Sequence, residues 1–144
     1  MVRPFSHTCM HHILEQVATG EYDEAVSPGP EITALLCVAQ ERNLAAPRLP
    51  YHKVPLAELE TAPGDLLADA AGWIHSMAAQ GHRVLVFSSR GISRPPSVVI
   101  AYLCLYLGCS FGEALHRVTL RQPSILLLPG LSGSIDEIST GRCR

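Results

Sequence analysis

The run from Val84 to Leu107 constrains this chain more than any other feature. Four apolar residues, Val84-Leu85-Val86-Phe87, lead through Ser88-Ser89-Arg90-Gly91-Ile92-Ser93-Arg94 into a largely apolar stretch from Pro95 to Leu107. An apolar run without alternation suits a central strand covered on both faces, the habit of parallel sheets. The stretch after the loop reads as a helix, because prolines are tolerated in a first turn whose N–H groups lack intrahelical partners, and Gly108 marks its end. Strand, glycine-bearing loop and helix in direct succession predict an α/β fold. They also set the loop's backbone N–H groups at a helix N-terminus, where the helix dipole adds partial positive charge. An anion is the natural ligand of such a loop.

The remaining segments fit one domain, which 144 residues suit. His12 to Thr19 reads as a short helix inside an irregular segment, residues 1–30, that carries Gly20, Pro28, Gly29 and Pro30. Ile32 to Ala39 reads as a buried strand and Leu49 to Val54 as a weaker one. Between Asp65 and Gln80, Leu67, Ala70, Ala71, Ile74, Met77 and Ala78 follow helical spacing, with Asp65 placed to cap the start and Gly81 to end it. Ser110 and Glu113 form a capping box for one more helix, through Arg121, that Pro123 terminates. The folded domain is expected over residues 31–138, followed by a short basic tail over 139–144 that reads as a disordered end.

Within the loop, Gly91 can take a backbone conformation that other residues resist, and the planar fork of Arg94 can grip two oxygens of a phosphate. The chain has no Gly-x-x-x-x-Gly-Lys-Ser/Thr match, so this is not the nucleotide-binding P-loop. The stretch Gly81 to Leu107, GHRVLVFSSRGISRPPSVVIAYLCLYL, resembles the signature region of the dual-specificity, cysteine-based protein phosphatases, whose loop reads HCxxGxSR followed by Ser or Thr. Five residues separate Ser88 from Arg94, as the family's nucleophile and arginine are separated. YHKVPL with Glu58 and Glu60 resembles the segment leading to the family's general-acid loop, and SFGEALHRVTLRQPSILLLPG its downstream helix and turn. The resemblance implies a small, mostly parallel central sheet flanked by helices. It also implies a phosphate-binding loop formed by Ser89, Arg90, Gly91, Ile92, Ser93 and Arg94.

The chain departs from the family at the positions that carry the chemistry. The nucleophilic cysteine is Ser88, the histidine before it is Phe87, the hydroxyl residue after the arginine is Pro95, and the nearest stand-in for the acid-loop aspartate is Glu58. A thiolate is reachable because loop donors and the arginine lower its pKa from about 8.5. A serine alkoxide lies many pKa units higher, each costing about 1.4 kcal/mol, and no histidine base adjoins Ser88 in the sequence. A single cysteine-to-serine exchange would explain Ser88 but not Phe87 and Pro95. The pattern resembles the pseudophosphatases, in particular the phosphoserine/threonine/tyrosine-interacting proteins. No proline interrupts Ser89 to Arg94, so every N–H of the loop survives, although Pro95 disfavours helical geometry at Arg94. Two readings of the loop follow: it still binds an oxyanion, or it is kept for the fold alone.

With 11 Lys+Arg against 13 Asp+Glu, a net charge of −2 and 17% charged residues, no global field draws the chain to nucleic acid or to an anionic membrane. No apolar run approaches the roughly 20 residues that span a bilayer, and Met1 to Leu14 lacks the regions of a secretory signal. Cys9, Cys37, Cys104, Cys109 and Cys143 are odd in number and form no CxxC pair. They argue against a disulfide framework or a zinc ribbon, and for a reducing intracellular compartment. The cytoplasm is the first expectation; Arg3, with no acid before Glu15, makes an organelle the second. His7, Cys9, His11 and His12 cluster without matching a structural zinc pattern, so no metal and no cofactor are expected. Cys104 and Trp73 read as packing residues, and Arg83, Arg90, Arg117 and Arg121 as scattered surface charge. The expected function is a catalytically inactive, phosphatase-like module that binds a protein partner, phosphorylated or not. The alternative is a structural subunit of a larger multiprotein or ribonucleoprotein assembly with a vestigial site. Residual phosphatase activity ranks last.

Overall fold

The computed structural model describes residues 10–142. Strands β1 (His11–Leu14) and β2 (Val17–Glu21) lead to the short helix α1 (Tyr22–Val26), and strands β3 (Ala34–Cys37) and β4 (Tyr51–Lys53) follow. Helix α2 (Gly64–Ala79) then precedes β5 (Val84–Ser88) and three helices, α3 (Arg94–Tyr106), α4 (Phe111–Arg121) and α5 (Leu131–Arg142). The five strands form one sheet in the order β1-β2-β5-β3-β4. β5 pairs in parallel with both β2 and β3, β3 pairs in parallel with β4, and only β1 runs antiparallel to its neighbour. The expected small, mostly parallel sheet flanked by helices is the fold observed.

Alternation along the strands divides the core in two. Val84 and Val86, with Ala34 and Leu36, face the cluster formed by α2, α3, α4 and α5, where Leu67, Ile74, Ile100 and Leu103 are fully buried. Leu85 and Phe87, with Leu35 and Cys37, face a smaller cluster completed by Ala25, Ile32 and Leu44. β5 is apolar from Val84 to Phe87 because it has neighbours on both edges and both faces.

Three segments differ from their sequence reading. His12 to Thr19 is not a helix but a β-hairpin, parts of β1 and β2 joined by a turn at Glu15-Gln16. Ile13 and Val17 have helical spacing, yet they serve equally well on facing strands, and pairing of β2 with β5 decides between the two. Gln16 fastens the turn: its side chain donates to Ala78 O and His82 O, and its carbonyl accepts from Val84 N–H. The segment 1–30 read as irregular therefore supplies two strands and α1. Asp65 does not cap α2; the helix begins one residue earlier, with Pro63 at the cap position, and Asp65 lies in the first turn, favourably placed in the helix dipole. The tail expected over 139–144 continues α5 through Arg142. Ser132, Gly133, Ser139 and Gly141 disguised that helix, whose Leu131, Ile135 and Ile138 pack on the core.

The strands read over Ile32 to Ala39 and Leu49 to Val54 are present but shorter, Ala34–Cys37 and Tyr51–Lys53, and the helix ends agree with the reading. Gly81 ends α2 and Gly108 follows α3, both with positive φ, and Ser110 and Glu113 form the capping box of α4. Cys37, Cys104 and Cys109 are free thiols, and burial pushes the Cys104 thiol up to about 11. Trp73 packs partly buried and stacks on His52. Among the described residues no helix is long and apolar enough to cross a membrane, and no group of three His, Cys, Asp or Glu could hold a metal. His7, Cys9 and Cys143 lie outside them.

Candidate functional site

The loop Ser88 to Arg94 leaves the end of the central strand and closes on the first residue of α3. Its curvature depends on Gly91, whose φ is +80° and whose missing Cβ would lie 2.6 Å from the Gly20 carbonyl oxygen. Any side chain here would meet backbone and adopt a strained left-handed conformation. Gln122, at the end of α4, donates to Gly91 O at 2.9 Å while accepting from Thr19 Oγ1 at 2.7 Å. Leu126 N–H donates to Ile92 O at 2.9 Å. Strand β2, helix α4 and the segment after it thus hold the loop from outside.

Ser88 is buried at the base of the loop, and its hydroxyl oxygen accepts from Gly91 N–H at 3.0 Å. Among the described residues no imidazole or carboxylate hydrogen-bonds to this hydroxyl. Phe87 points into the smaller cluster, 6.4 Å from the Tyr22 ring. Pro95 is buried in the first turn of α3. Arg94 is helical in spite of the proline that follows it. Ser93 is 4% exposed and its hydroxyl has no hydrogen-bond partner among the described residues. Arg90 and Ile92 are exposed, while Arg83 precedes β5 at the opposite end of that strand from the loop.

Arg94 is 1% exposed. Its Nη1 donates to Leu56 O at 2.9 Å and to Glu41 Oε1 at 2.8 Å, and its Nη2 donates to Glu41 Oε2 at 2.6 Å. Ser89 Oγ donates to the same Glu41 Oε2 at 2.5 Å and accepts from Arg42 Nε at 3.2 Å. Arg42 lies over the Tyr22 ring, 4.6 Å from its centroid. Lys53 Nζ binds the carbonyls of Gln40 and Arg42, fixing the backbone on either side of Glu41. The two-point bond from Arg94, against the opposing effect of burial, holds the Glu41 carboxyl down at about 2. Glu58 lies farther out, its Oε1 3.9 Å from Arg94 Nη2.

Ser88 to Arg94 thus curve into one cradle at the end of β5, with Glu58 beside Arg94 at its rim and the side chains of Arg90 and Ile92 turned to solvent. Sequence reasoning missed Glu41, Thr19 and Gln122. One signal was available: Glu41 follows a strand read as buried, and in a parallel sheet the segments after neighbouring strands emerge at the same edge.

The profile described as "Dual specificity phosphatase, catalytic domain" matches residues 19–140. This chain belongs to the dual specificity phosphatase family. Human dual specificity protein phosphatase 14 is 37% identical over 84 residues, 58% of this chain and 42% of that protein, so the match spans less than half of the relative. Among solved structures, the human tyrosine phosphatase-like serine/threonine/tyrosine-interacting protein superposes with a TM-score of 0.81 at 22% identity, covering 94% of this chain and 98% of that one. A mouse putative dual specificity phosphatase complexed with zinc tungstate also gives 0.81, at 18% identity, covering 98% and 92%. These likenesses show the dual specificity phosphatase fold; the cradle at the end of β5 is the place where the family pattern and this chain part.

Proposed function

We propose that this dual specificity phosphatase domain is catalytically inactive and serves as a protein-binding module that recognises a phosphorylated segment through the Ser88–Arg94 cradle. The observation that carries the reading is Ser88, buried where the family has its nucleophilic cysteine, with the Gly91 N–H as its hydrogen-bond partner among the described residues. A neutral hydroxyl without a base cannot attack phosphorus at a useful rate, while backbone donors at a helix N-terminus still suit a tetrahedral anion. The fold neighbour complexed with zinc tungstate makes an oxyanion the first ligand class to try.

The test is a calorimetric titration of the purified protein with inorganic phosphate and with a phosphotyrosine peptide, alongside hydrolysis of an aryl phosphate. Saturable heat that disappears in Arg94→Lys, with no hydrolysis, is the expected outcome. Hydrolysis lost in Ser88→Ala would overturn the inactive assignment. Absence of heat would leave the cradle as a vestige inside a structural subunit.

A further inference from the structure

We infer that the groove on the α1 side of the sheet is a binding site for a small apolar molecule with a single anionic head, an amphipathic monocarboxylate, held by Arg48 at its rim.

Two connecting segments build the groove. One runs from α1 through Pro28, Gly29 and Pro30 into β3, the other from Leu44 through Ala45, Ala46 and Pro47 into β4. With Tyr22 and Val26 of α1 and Leu35 of β3 they border about 700 Å³, a volume within the range of small-molecule sites. The walls are chiefly hydrocarbon and proline. Val26 is still 58% exposed, so an apolar ligand would cover surface that water now meets.

The walls are also fixed in advance. Proline restricts φ at three lining positions, Pro28, Pro30 and Pro47. Ile32 N–H donates to Gly29 O at 3.1 Å, Leu44 N–H donates to the Tyr51 hydroxyl oxygen at 3.4 Å, and that hydroxyl donates to Asn43 Oδ1 at 2.7 Å. A ligand entering such a site has little chain left to order.

Charge selects the head group. Among the described residues that line the groove, Arg48 alone is charged, and it is exposed. Its side chain makes no ion pair and no hydrogen bond among the described residues. Arg94 and Arg42 differ, the first bound to Glu41 and the second to Ser89 and Tyr22. Thr33, a polar residue of the lining, is already engaged by Arg83 N–H and His82. An unoccupied guanidinium fork suits the two oxygens of a carboxylate. One cation balances one negative charge, whereas a dianion would leave charge against hydrocarbon. No residue from Ser88 to Arg94, nor Glu41 or Glu58, lines the groove, so the two sites can be tested apart.

The test is isothermal titration of the full chain with decanoate, decanol and decylammonium, which share a tail and differ in head charge, each below its micelle concentration. Decanoate should bind saturably and about tenfold more tightly than decanol, and decylammonium should give no saturable heat. Arg48→Gln should weaken decanoate about tenfold and leave decanol unchanged. Ala45→Trp, filling the groove from an exposed position, should abolish binding of both at an unchanged melting midpoint. Absence of saturable decanoate binding, equal affinity for the three heads, or unchanged decanoate affinity in either variant would overturn the assignment. A dimer in sedimentation velocity that Ala45→Trp disperses and decanoate does not would give the groove to a second copy, which overturns it as well. Phosphate titrations of both variants should match the wild type, so the cradle reading is scored separately.

Discussion

The two faces of the sheet are built to different standards, and the cradle straddles them. One face lies under α2 and α3, where Val86, Leu36, Ile100 and Leu103 are fully buried. The other is covered by α1 and connecting loops, which leave a groove of about 700 Å³ lined by Tyr22, Val26, Pro30, Leu44 and Leu49. Arg94 is delivered by the helix-covered face and Glu41 by a loop on the open one. The cation of the site is thus locked in by core packing, whereas its counter-charge is an exposed side chain that can change without disturbing the core.

The difference between faces can be broken by truncation. Leu103→Ala should cost about 2–5 kcal/mol, as for other fully buried leucines, whereas Leu44→Ala beside the groove should fall at or below about 2 kcal/mol because the site can relax. Urea unfolding measures both, and equal losses would remove the distinction. Gly91→Ala probes the seam between the faces. Left-handed strain and crowding against Gly20 should together cost about 2–4 kcal/mol, read as a lower urea midpoint.

Chemistry at the seam sharpens the comparison further. In Ser88→Cys, the new thiol should be acidified only modestly, because Arg94 is already matched by Glu41. Adding Glu41→Gln should acidify it further and speed alkylation by iodoacetamide at neutral pH several-fold, as peptide mapping of position 88 would show. An equal rate in the two variants would mean that Glu41 does not neutralise Arg94. Stability should carry the same signature. The Glu41 carboxyl is held at about 2 against an ordinary 4.5, so its contribution is complete above 4.5 and is lost as pH falls through about 2. The stability gap between wild type and Glu41→Gln should therefore narrow across that window, in urea titrations at stepped pH. The smallest effect lies away from both faces: Ser110→Ala removes the α4 cap and should cost about 1 kcal/mol, a modest drop in thermal midpoint.

How much of this was legible in the sequence follows the same division. β5, the loop, α3 and the capping box of α4 were readable because each is specified locally, by an apolar run, a required glycine or a cap. The hairpin of β1 and β2 was not, because Ile13 and Val17 satisfy two periodicities and the choice is made by Val84 to Ser88, more than sixty residues away. Helix α5 was missed because serine and glycine dominate its exposed positions. In the site, Ser88, Phe87, Pro95 and Arg94 were found by spacing within one segment. Glu41 and Gln122 were not, since each reaches the cradle from a separate element, and no spacing rule links residues that meet only through the sheet.

The strand order carries a consequence for how the molecule assembles. β1 pairs with β2 and β3 pairs with β4, but the two pairs touch only through β5, which is inserted between them. Until Val84 to Ser88 is in place, the first half of the chain holds two unjoined fragments of sheet with their inner edges open, the kind of non-local closure that slows folding and invites mispairing. The cradle begins where that strand ends. The strand that joins the two halves of the sheet is therefore also the one that carries the base of the anion loop.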